Sequence, residues 1–377
     1  MAFVRLIVRT SVLALAVVAG ACALTDSNAR QTPFQAETVA QFDQPWAMTF
    51  LPDGRLLVTE KPGRLTLLDP AQNTQVRVDG VPAVSVGGQG GFGDVVLHPA
   101  FTQNRLVYLS YIVADADGKR GAVAARAQLD TGNPQAPALN QLEELWHQSP
   151  RVSGGAHFSH RIAFDAEGHM FVSSGERRRY EVAQDLTNNL GKIVRLTDTG
   201  MPAPGNPFAE QGGVAAQIWT LGNRNPLGLA FAPDGQLWAN EMGPAGGDEL
   251  NVIRPGANYG YPLVSDGDHY DGRQIPDHNT SDLYARPALS WNPVISPAGL
   301  IFYTGEMFPQ WQGSALMGGL SSRALVRVTL DGDKAVEADR FDMGERIREV
   351  EQGPDGAVWL LTDGPQGKLL RLTPDGS

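Results

Sequence analysis

Short apolar strands alternate with polar turns along most of the chain. From residue 34 onward, an apolar segment leads into a turn, often Pro-Asp-Gly, and a second apolar or alternating segment follows. Five of the six turns described below supply a glycine where the backbone needs a positive φ angle. The pattern predicts buried strand–turn–strand units, and it recurs six times, at residues 47–69, 95–112, 162–175, 229–253, 300–330 and 350–372.

This repeat predicts an all-β fold, a six-bladed β-propeller spanning residues 34–377. Several short strands in a long-period repeat are typical of propellers and solenoids, and the unit lacks the helical periodicity of a helical solenoid. The segment 34–46 is expected to pair with the last blade and close the ring, because an unpaired edge strand is a liability. The segment 265–284, rich in Asp, His and Tyr, is expected to lie over the site as a surface excursion.

Composition and charge agree with this fold and exclude one class of partner. The 377 residues include 43 Gly and 26 Pro, as a chain with many turns requires. The net charge of −11 argues against a nucleic-acid partner, which would need a basic surface. One cysteine excludes an internal disulfide.

The N-terminus reads as a targeting segment. Arg5 and Arg9 precede a short apolar stretch that ends in small residues, which predicts a signal peptide over residues 1–21. A polar, flexible tether is expected at residues 22–33. Two alternatives remain open: ordinary secretion, or a bacterial lipoprotein acylated on Cys22 and anchored to the outer membrane. Both predict an exported, periplasmic protein.

The stretch 221–262 concentrates candidate chemistry at the ends of predicted strands. Its glycine-rich loop carries Gly243, Pro244 and Asp248, and such a loop can direct carbonyl and carboxylate oxygens at a calcium ion. An Asx-type turn is the alternative for the aspartate. Arg224 and Asn225 precede a strand of the same unit, where the arginine can hold an anion bidentately.

Two further candidates precede the second and third repeats. Gln89 lies in the glycine-dense run VGGQGGFGD, which predicts either close approach of the backbone to a ligand or a tight loop between blades. His157 leads into a strand and can serve as a general base near neutral pH, or as a structural histidine. Zinc binding by His157 and His160 is disfavoured, because no third ligand has suitable spacing.

The sixth repeat supplies positive charge. Arg346 and Arg348 alternate, so both side chains project from the same face of a strand. They either face an anion or form a surface ladder with Glu345 or Glu349, and Asp363 after the next strand can balance them. Several arginines, a cation loop and a histidine together predict a pocket for a polyanionic cofactor held by arginine and calcium.

Seven motifs, in order, resemble the soluble quinoprotein sugar dehydrogenases, which comprise glucose/sorbosone and aldose sugar dehydrogenases. They are GGQGGFGDVVLHPAF, HFSHR, GNRNPLGLAFAPDG, EMGPAGGDELN, GANYGYP, SPAGLIFYTG and RIREVEQGPDGAVWLLTD, and the resemblance covers residues 37–376. That family folds as a six-bladed propeller. The resemblance implies pyrroloquinoline quinone (PQQ) and calcium as cofactors, an aldose substrate oxidised to a lactone, and an external electron acceptor.

The resemblance also implies roles for individual residues. His157 resembles the general base that takes the proton of the anomeric hydroxyl while a hydride passes to the quinone. Arg224 and calcium would polarise the quinone carbonyl, and Gly243 and Pro244 match the backbone calcium ligands. The positions that match cofactor or pocket contacts are Gln89, Asn225, Arg346, Arg348 and Asp363.

Three positions depart from the family pattern. Ser321 stands where the glucose enzymes carry a lysine against the cofactor, Leu227 replaces a glutamine, and Ala156 replaces the aspartate before His157. The lost lysine removes a cationic partner, for which Arg323 is a candidate substitute. The lost aspartate is expected to leave the histidine less firmly held.

Two other functions compete with the dehydrogenase. One is a non-redox, calcium-containing propeller that binds a sugar or a protein partner, which the lost lysine and aspartate favour. The other is a calcium-dependent lactonase-type hydrolase, which needs several acidic metal ligands, whereas the chain offers chiefly Asp248 and Asp363. The sequence leaves a monomer and a homodimer both open.

Overall fold

The computed structural model describes residues 2 and 32–376. The predicted signal peptide, most of the tether and Cys22 therefore lie outside the described residues. Among those described, no helix is long and apolar enough to cross a membrane. Helical structure there consists of α1 (Phe101–Asn104) and short 3₁₀ turns at Tyr180–Gln184, Ala209–Gln211, Ala215–Gln217, His278–Thr280 and Pro309–Trp311.

Strand β1 (Phe34–Phe42) comes first in the chain, and six four-stranded antiparallel sheets form the blades. Blade 1 contains β2 (Pro45–Phe50), β3 (Leu56–Glu60), β4 (Arg64–Asp69) and β5 (Thr74–Arg77). Blade 2 contains β6 (Phe92–Leu97), β7 (Leu106–Ala114), β8 (Arg120–Asp130) and β9 (Ala138–His147). Blade 3 contains β10 (Ser159–Phe164), β11 (Met170–Ser174), β12 (Lys192–Leu196) and β13 (Ile218–Leu221).

Blade 4 is interrupted by a two-stranded ribbon. Its own strands are β14 (Pro226–Phe231), β15 (Leu237–Glu241), β17 (Asp248–Val252) and β19 (Leu289–Trp291), and the ribbon consists of β16 (Ala245–Gly246) and β18 (Gly267–Asp268). Blade 5 contains β20 (Pro297–Phe302), β21 (Ala315–Gly319), β22 (Ala324–Asp331) and β23 (Lys334–Asp342). Blade 6 contains β24 (Ile347–Gln352), β25 (Val358–Thr362), β26 (Gly367–Pro374) and β1.

The first strand of each blade is innermost and contacts the first strands of both neighbouring blades. A hydrophobic cluster fills each interface between adjacent blades, including that between blade 6 and blade 1. The second strands β3, β11, β15, β21 and β25 are buried along their whole length, which explains why each begins with a run of apolar residues. The predicted six-bladed propeller is confirmed, and each predicted repeat begins within the first strand of a blade and includes most or all of the second.

The ring closes as expected, because β1 pairs with β26. Phe34 pairs with Pro374 at one end and Phe42 pairs with Gly367 at the other. The N–H of Asp375 continues the contact with the carbonyl of Pro33 at 3.2 Å. The pairing covers the unpaired edge that blade 6 would otherwise present.

Strand direction alternates within every blade, because the strands pair in an antiparallel manner. The innermost strands begin, and the second strands end, at the same end of the ring. We call this the site end. Most candidate residues identified from the sequence lie there, just before a first strand or just after a second strand, whereas Arg348 is the second residue of β24 and Asp248 begins β17.

Candidate functional site

Two adjoining cavities open at the site end. The arginine compartment, of 330 Å³, is bounded by Arg346, Arg348, Asp363 and Lys61, among others. The histidine compartment, of 380 Å³, is bounded by a second group that comprises His157, Arg178, Arg224, Gly243, Pro244, Asp248 and Tyr270. Both cavities include Gln89, Met242 and Ser296 in their walls, so the two form one continuous depression.

His157 is held by a buried carboxylate. Its Nδ1 lies 2.7 Å from Oε1 of Glu176, whose side chain is fully buried. Because an ionised carboxylate only accepts hydrogen bonds, the Nδ1–H donates to it and Nε2 keeps its lone pair. Glu176 thus supplies from the end of β11 the orienting group that Ala156 lacks. The expectation of a loosely held histidine was wrong.

Burial keeps the imidazole of His157 neutral. The pKa of His157 falls below its ordinary value, chiefly because burial disfavours the charged ring. The positive charges of Arg224 and Arg178 lower the pKa further, whereas Glu176 opposes the fall. The backbone has φ of 52° at His157, a left-handed conformation that costs about 1 kcal/mol. A neutral histidine with a free Nε2 can accept a proton near neutral pH.

Arg224 is buried, and no carboxylate of the described residues contacts its guanidinium. Its Nη1 donates to the carbonyl of Met242 at 2.8 Å, and its Nη2 lies 3.4 Å from the hydroxyl of Tyr270. Its backbone N–H donates to Glu241, which fixes the turn before β14. The Nε of Arg224 has no hydrogen-bond partner among the described residues. A desolvated donor of this kind is costly unless a ligand completes it.

Asn225 presents a second incomplete donor. Its Oδ1 accepts a hydrogen bond from Ser159 at 3.0 Å, which orients the amide. Its buried Nδ2, like the Nε of Arg224, has no partner within the described part of the chain. Arg224 is in the wall of the histidine compartment, whereas Asn225 is in the wall of neither compartment, so the contact of Asn225 with a cofactor stays a prediction.

The loop before β17 exposes carbonyl oxygens to the histidine compartment. No described residue donates a hydrogen bond to the carbonyl of Gly243 or of Pro244. Asp248 stabilises the loop, because its carboxylate accepts backbone N–H bonds from Gly243 at 2.9 Å, Ile295 at 2.8 Å and Ser296 at 2.6 Å. Burial raises the pKa of Asp248 to about 6. None of these donors is the N–H two residues after the aspartate that an Asx turn uses, so the described contacts are tertiary ones, and the role of Asp248 as a metal ligand stays a prediction.

The arginine compartment carries the predicted pair with its predicted counter-ion. Arg346 donates from Nε to Asp363 at 2.9 Å, and Arg348 donates from Nη2 to the same carboxylate at 2.8 Å. The surface-ladder alternative is wrong, because Glu345 pairs with Lys368 and Glu349 lies elsewhere. Two arginines share one aspartate, which leaves a net positive charge in this wall.

Gln89 joins the two compartments. The side-chain Oε1 of Gln89 accepts a hydrogen bond from the backbone N–H of His157 at 2.6 Å. The backbone N–H of Gln89 donates to the carbonyl of Gly155 at 2.7 Å. A Cβ on Gly88 would lie 2.3 Å from the same carbonyl, so the glycine is required by contact between blades 2 and 3. The glycine run therefore forms a tight loop between blades, and that loop places Gln89 in the site.

Of the three positions that depart from the family pattern, only Leu227 is in the wall of the arginine compartment. Ser321 is exposed and donates to the carbonyl of Val294 at 3.3 Å, and Ala156 directly precedes His157. Arg323 is exposed and is absent from the walls of both compartments. The proposed substitution by Arg323 was wrong. The lysine in this cavity is Lys61, from blade 1.

Below the arginine compartment, the innermost strands bury an ion-pair cluster in the central channel. Arg161 contacts Asp94 at 3.2 Å and also contacts Glu349, and all three side chains are at most 7% exposed. Its guanidinium lies 4.2 Å from the ring centroid of Trp46, and Trp46 is also in the wall of the arginine compartment. His160 stacks on the same tryptophan at 5.0 Å, and burial lowers its pKa to about 3. His160 is therefore a neutral packing residue.

A larger cavity, of 540 Å³, lies apart from these residues, against blades 1 and 6. Its arginine, Arg64, contacts Asp43 at 2.7 Å and Glu60 at 2.8 Å. Its other arginine, Arg77, is exposed and has no ion pair among the described residues, and none of the described buried donors that lack a partner faces this cavity. Volume alone does not indicate function, and the chemistry lies in the two smaller compartments.

Sequence reasoning missed two residues of this site, Glu176 and Lys61. Glu176 lies in the run GERRRY, and its partner is distant in sequence. Lys61 lies in TEKPGRL, immediately after a second strand. That position is the available signal, because Asp363 also follows the second strand of its blade. The excursion at 265–284 reaches the site through Tyr270, as expected.

Comparisons with known proteins agree with the geometry. A family model described as Glucose / Sorbosone dehydrogenase matches residues 42–371. Over 340 residues the chain is 38% identical to the aldose sugar dehydrogenase YliI of Escherichia coli (strain K12), covering 89% of this chain and 91% of that protein. The match to the family model runs from blade 1 to blade 6.

Solved structures give the same relationship. The apo-form of the soluble aldose sugar dehydrogenase from Escherichia coli superposes with a TM-score of 0.86 at 38% identity, over 91% of this chain and all of that one. The PQQ-bound form of the aldose sugar dehydrogenase from Streptomyces coelicolor superposes with a TM-score of 0.77 at 28% identity, over 91% of this chain and 98% of that one.

Proposed function

The chain belongs to the glucose/sorbosone dehydrogenase family of PQQ-dependent sugar dehydrogenases, and from this premise we propose that it oxidises aldoses at the anomeric carbon to lactones, with PQQ and calcium as cofactors. The observation that carries the proposal is the pair of incomplete buried donors, the Nε of Arg224 and the Nδ2 of Asn225, beside a histidine oriented by a carboxylate. A ligand rich in hydrogen-bond acceptors would complete the donor of Arg224 in the compartment that also contains the base.

His157 takes the proton in this proposal. Its Nε2 accepts the proton of the anomeric hydroxyl, and Glu176 stabilises the imidazolium that forms, as a buried carboxylate does in other base–orienter pairs. As the hydroxyl oxygen closes a C=O bond, the hydrogen of the anomeric carbon leaves as hydride. When bound, PQQ supplies the quinone that accepts this hydride, and an external acceptor later reoxidises it.

Three groups of residues hold the cofactor in this proposal. Arg224 and Asn225 donate to acceptor oxygens, and Arg224 is positioned to stabilise negative charge that develops there. Arg346 and Arg348 contact carboxylates of the ligand, because a guanidinium matches a carboxylate bidentately. Gln89 lies between the compartments and contacts the ligand at their junction.

Calcium is assigned to the loop before β17. The carbonyls of Gly243 and Pro244 are free to ligate a hard cation, which prefers oxygen ligands. Asp248 holds the loop and adds negative charge beside these carbonyls. We also propose a signal peptide at 1–21, a tether at 22–33, the propeller domain at 34–377, and export to the periplasm with or without a lipid on Cys22.

A titration of purified apoprotein with PQQ and calcium, followed by absorbance, tests the function. Saturable binding, followed by bleaching of the oxidised quinone on addition of an aldose, is the expected result. Removal of calcium with a chelator is expected to weaken PQQ retention. Absence of PQQ binding at micromolar concentration would overturn the proposal and favour the non-redox, sugar-binding alternative.

A further inference from the structure

Equivalent positions in the blades supply the walls of the arginine compartment. The residue after the second strand is Lys61 in blade 1, Met242 in blade 4, Leu320 in blade 5 and Asp363 in blade 6, and all four are in the wall. In these four blades the position therefore faces the axis at the site end, whereas its counterparts in blades 2 and 3, Asp115 and Gly175, are in the wall of neither compartment. In blade 5 this position is apolar, and Ser321, which stands where the glucose enzymes carry a lysine, is the next residue along, whereas blade 1 carries a lysine at this position.

The backbone of Lys61 is fixed on both sides. Its N–H donates to the carbonyl of Gln44 at 2.9 Å, and its carbonyl accepts the N–H of Phe92 at 2.9 Å. A Cβ on Gly91 would lie 2.4 Å from that carbonyl and 2.5 Å from Cγ of the lysine. The glycine therefore makes room for the lysine at the junction of blades 1 and 2, and the side chain leaves a rigid base.

The ammonium group of Lys61 makes only one hydrogen bond in the described contacts. Its Nζ donates to the carbonyl of Gly88 at 2.6 Å, which is one of the three donors of an ammonium. No carboxylate lies within ion-pair distance of it among the described residues. Burial and the charge of Arg348 lower the pKa of Lys61, whereas Asp363 opposes the fall. The lysine therefore shares an electrostatic environment with both residues.

We propose that Lys61 is a cofactor-binding residue that donates to a carboxylate of the bound quinone and thereby replaces the lysine absent from blade 5. The inference rests on the proposed function. With Lys61, three cations surround the single carboxylate of Asp363, a surplus of two positive charges in one concave wall. Such a surplus is costly in the free protein and is relieved by a polyanionic ligand.

The test compares PQQ affinity, measured by absorbance titration of calcium-loaded apoprotein, in four proteins. They are the wild type, Lys61→Met, Lys61→Arg, and the matched control Lys334→Met, which removes an exposed lysine from the outer edge of blade 5. Lys61→Met is expected to raise the Kd about tenfold, which corresponds to about 1.4 kcal/mol. Lys61→Arg is expected to stay within about threefold of wild type, and the control is expected to be unchanged.

Salt dependence and a second ligand separate this inference from the proposed function. The Kd of wild type is expected to rise with ionic strength more steeply than that of Lys61→Met, because one ion pair is missing from the variant. Benzene-1,3,5-tricarboxylate, which carries no quinone, is expected to compete with PQQ less well in Lys61→Met. Equal Kd and salt dependence in wild type and Lys61→Met would overturn the role of Lys61 while leaving the dehydrogenase intact. Absence of PQQ binding in wild type would overturn both.

Discussion

Two clusters of charged residues lie along the propeller axis, and they differ in how completely their arginines are paired with carboxylates. In the channel, Arg161 contacts two carboxylates, Asp94 and Glu349, and all are almost fully buried. At the site end, Arg346 and Arg348 share Asp363. The guanidinium of Arg224 has no carboxylate in contact within the described chain.

This difference in pairing indicates that the channel cluster stabilises the fold, whereas the cluster at the site end binds a ligand. A buried arginine with complete counter-ions holds neighbouring strands together, and its loss leaves uncompensated carboxylates. Charge without counter-ions weakens the free protein and becomes favourable only when an anion binds. The two clusters lie on either side of Trp46, which contacts Arg161 and faces the arginine compartment.

Substitution of His157, at the site end, is expected to have the largest effect. His157→Asn is expected to lower kcat by about 10²- to 10⁴-fold, because the base is lost, while the Kd for PQQ changes little. Asparagine tolerates the left-handed backbone of this position, so folding is preserved. Steady-state kinetics and thermal melting check the result, with the exposed His147→Asn as control. A variant with near-normal kcat would remove His157 from the mechanism.

In the channel, Arg161→Met is expected to lower the free energy of unfolding by about 3–5 kcal/mol, because Asp94 and Glu349 lose their partner. The loss should be larger at pH 8 than at pH 5, since burial raises the pKa of Glu349 to about 7 and ionisation then becomes unfavourable. Arg348→Met is the matched variant at the site end. Chemical denaturation is expected to show a loss below about 1 kcal/mol for it, and a similar loss in the two variants would erase the distinction between the clusters.

The variant Glu176→Gln tests whether the carboxylate of Glu176 orients His157 and raises its pKa. It is expected to lower kcat on the order of 10²-fold and to move the acidic limb of the pH–rate profile to lower pH. The sign follows from the ion pair: the carboxylate raises the pKa of His157, so its neutralisation lowers that pKa. Glu167→Gln, an exposed acid on the same blade, is the control. An unshifted limb would show that Glu176 does not act on the histidine.

The smallest effect is expected at Glu351, beside the channel cluster. Burial and the neighbouring Glu349 raise its pKa to about 8. The folded state therefore binds more protons than the unfolded state, and stability is lost as pH rises from about 4.5 to 8. Glu351→Gln is expected to raise stability at pH 9 by about 1 kcal/mol and to leave it unchanged at pH 4. Calorimetry at both pH values, with the exposed Glu210→Gln as control, measures whether Glu351 causes this pH dependence of stability.

Much of the fold was predictable from the sequence, because each blade repeats one signal. The Pro-Asp-Gly turns mark the first hairpins of blades 1, 4 and 6, and the apolar strands beside them are buried between blades. The pairing of β1 with β26 followed from the need to cover an edge. The site residues Gln89, His157 and Arg224 were found because motifs place them just before first strands.

The rest depended on contacts between distant segments. Glu176 reaches His157 across 19 positions, and its own motif, GERRRY, carries no periodic signal. Lys61 was hidden because a lysine after a strand is ordinary on a surface, and only the rotation of the blades turns that position towards the axis. Asp248 has the residue type of a calcium ligand, but its three backbone donors were not visible in the sequence.

The closure of the ring has a mechanical consequence. The two ends of the chain leave blade 6 side by side, since Phe34 pairs with Pro374 at its outer edge. A force that separates the termini therefore unzips β1 from β26 one pair at a time, instead of shearing all the pairs together. The resistance of the protein to pulling is set by this seam, and the six apolar cores between blades are loaded only after it has opened.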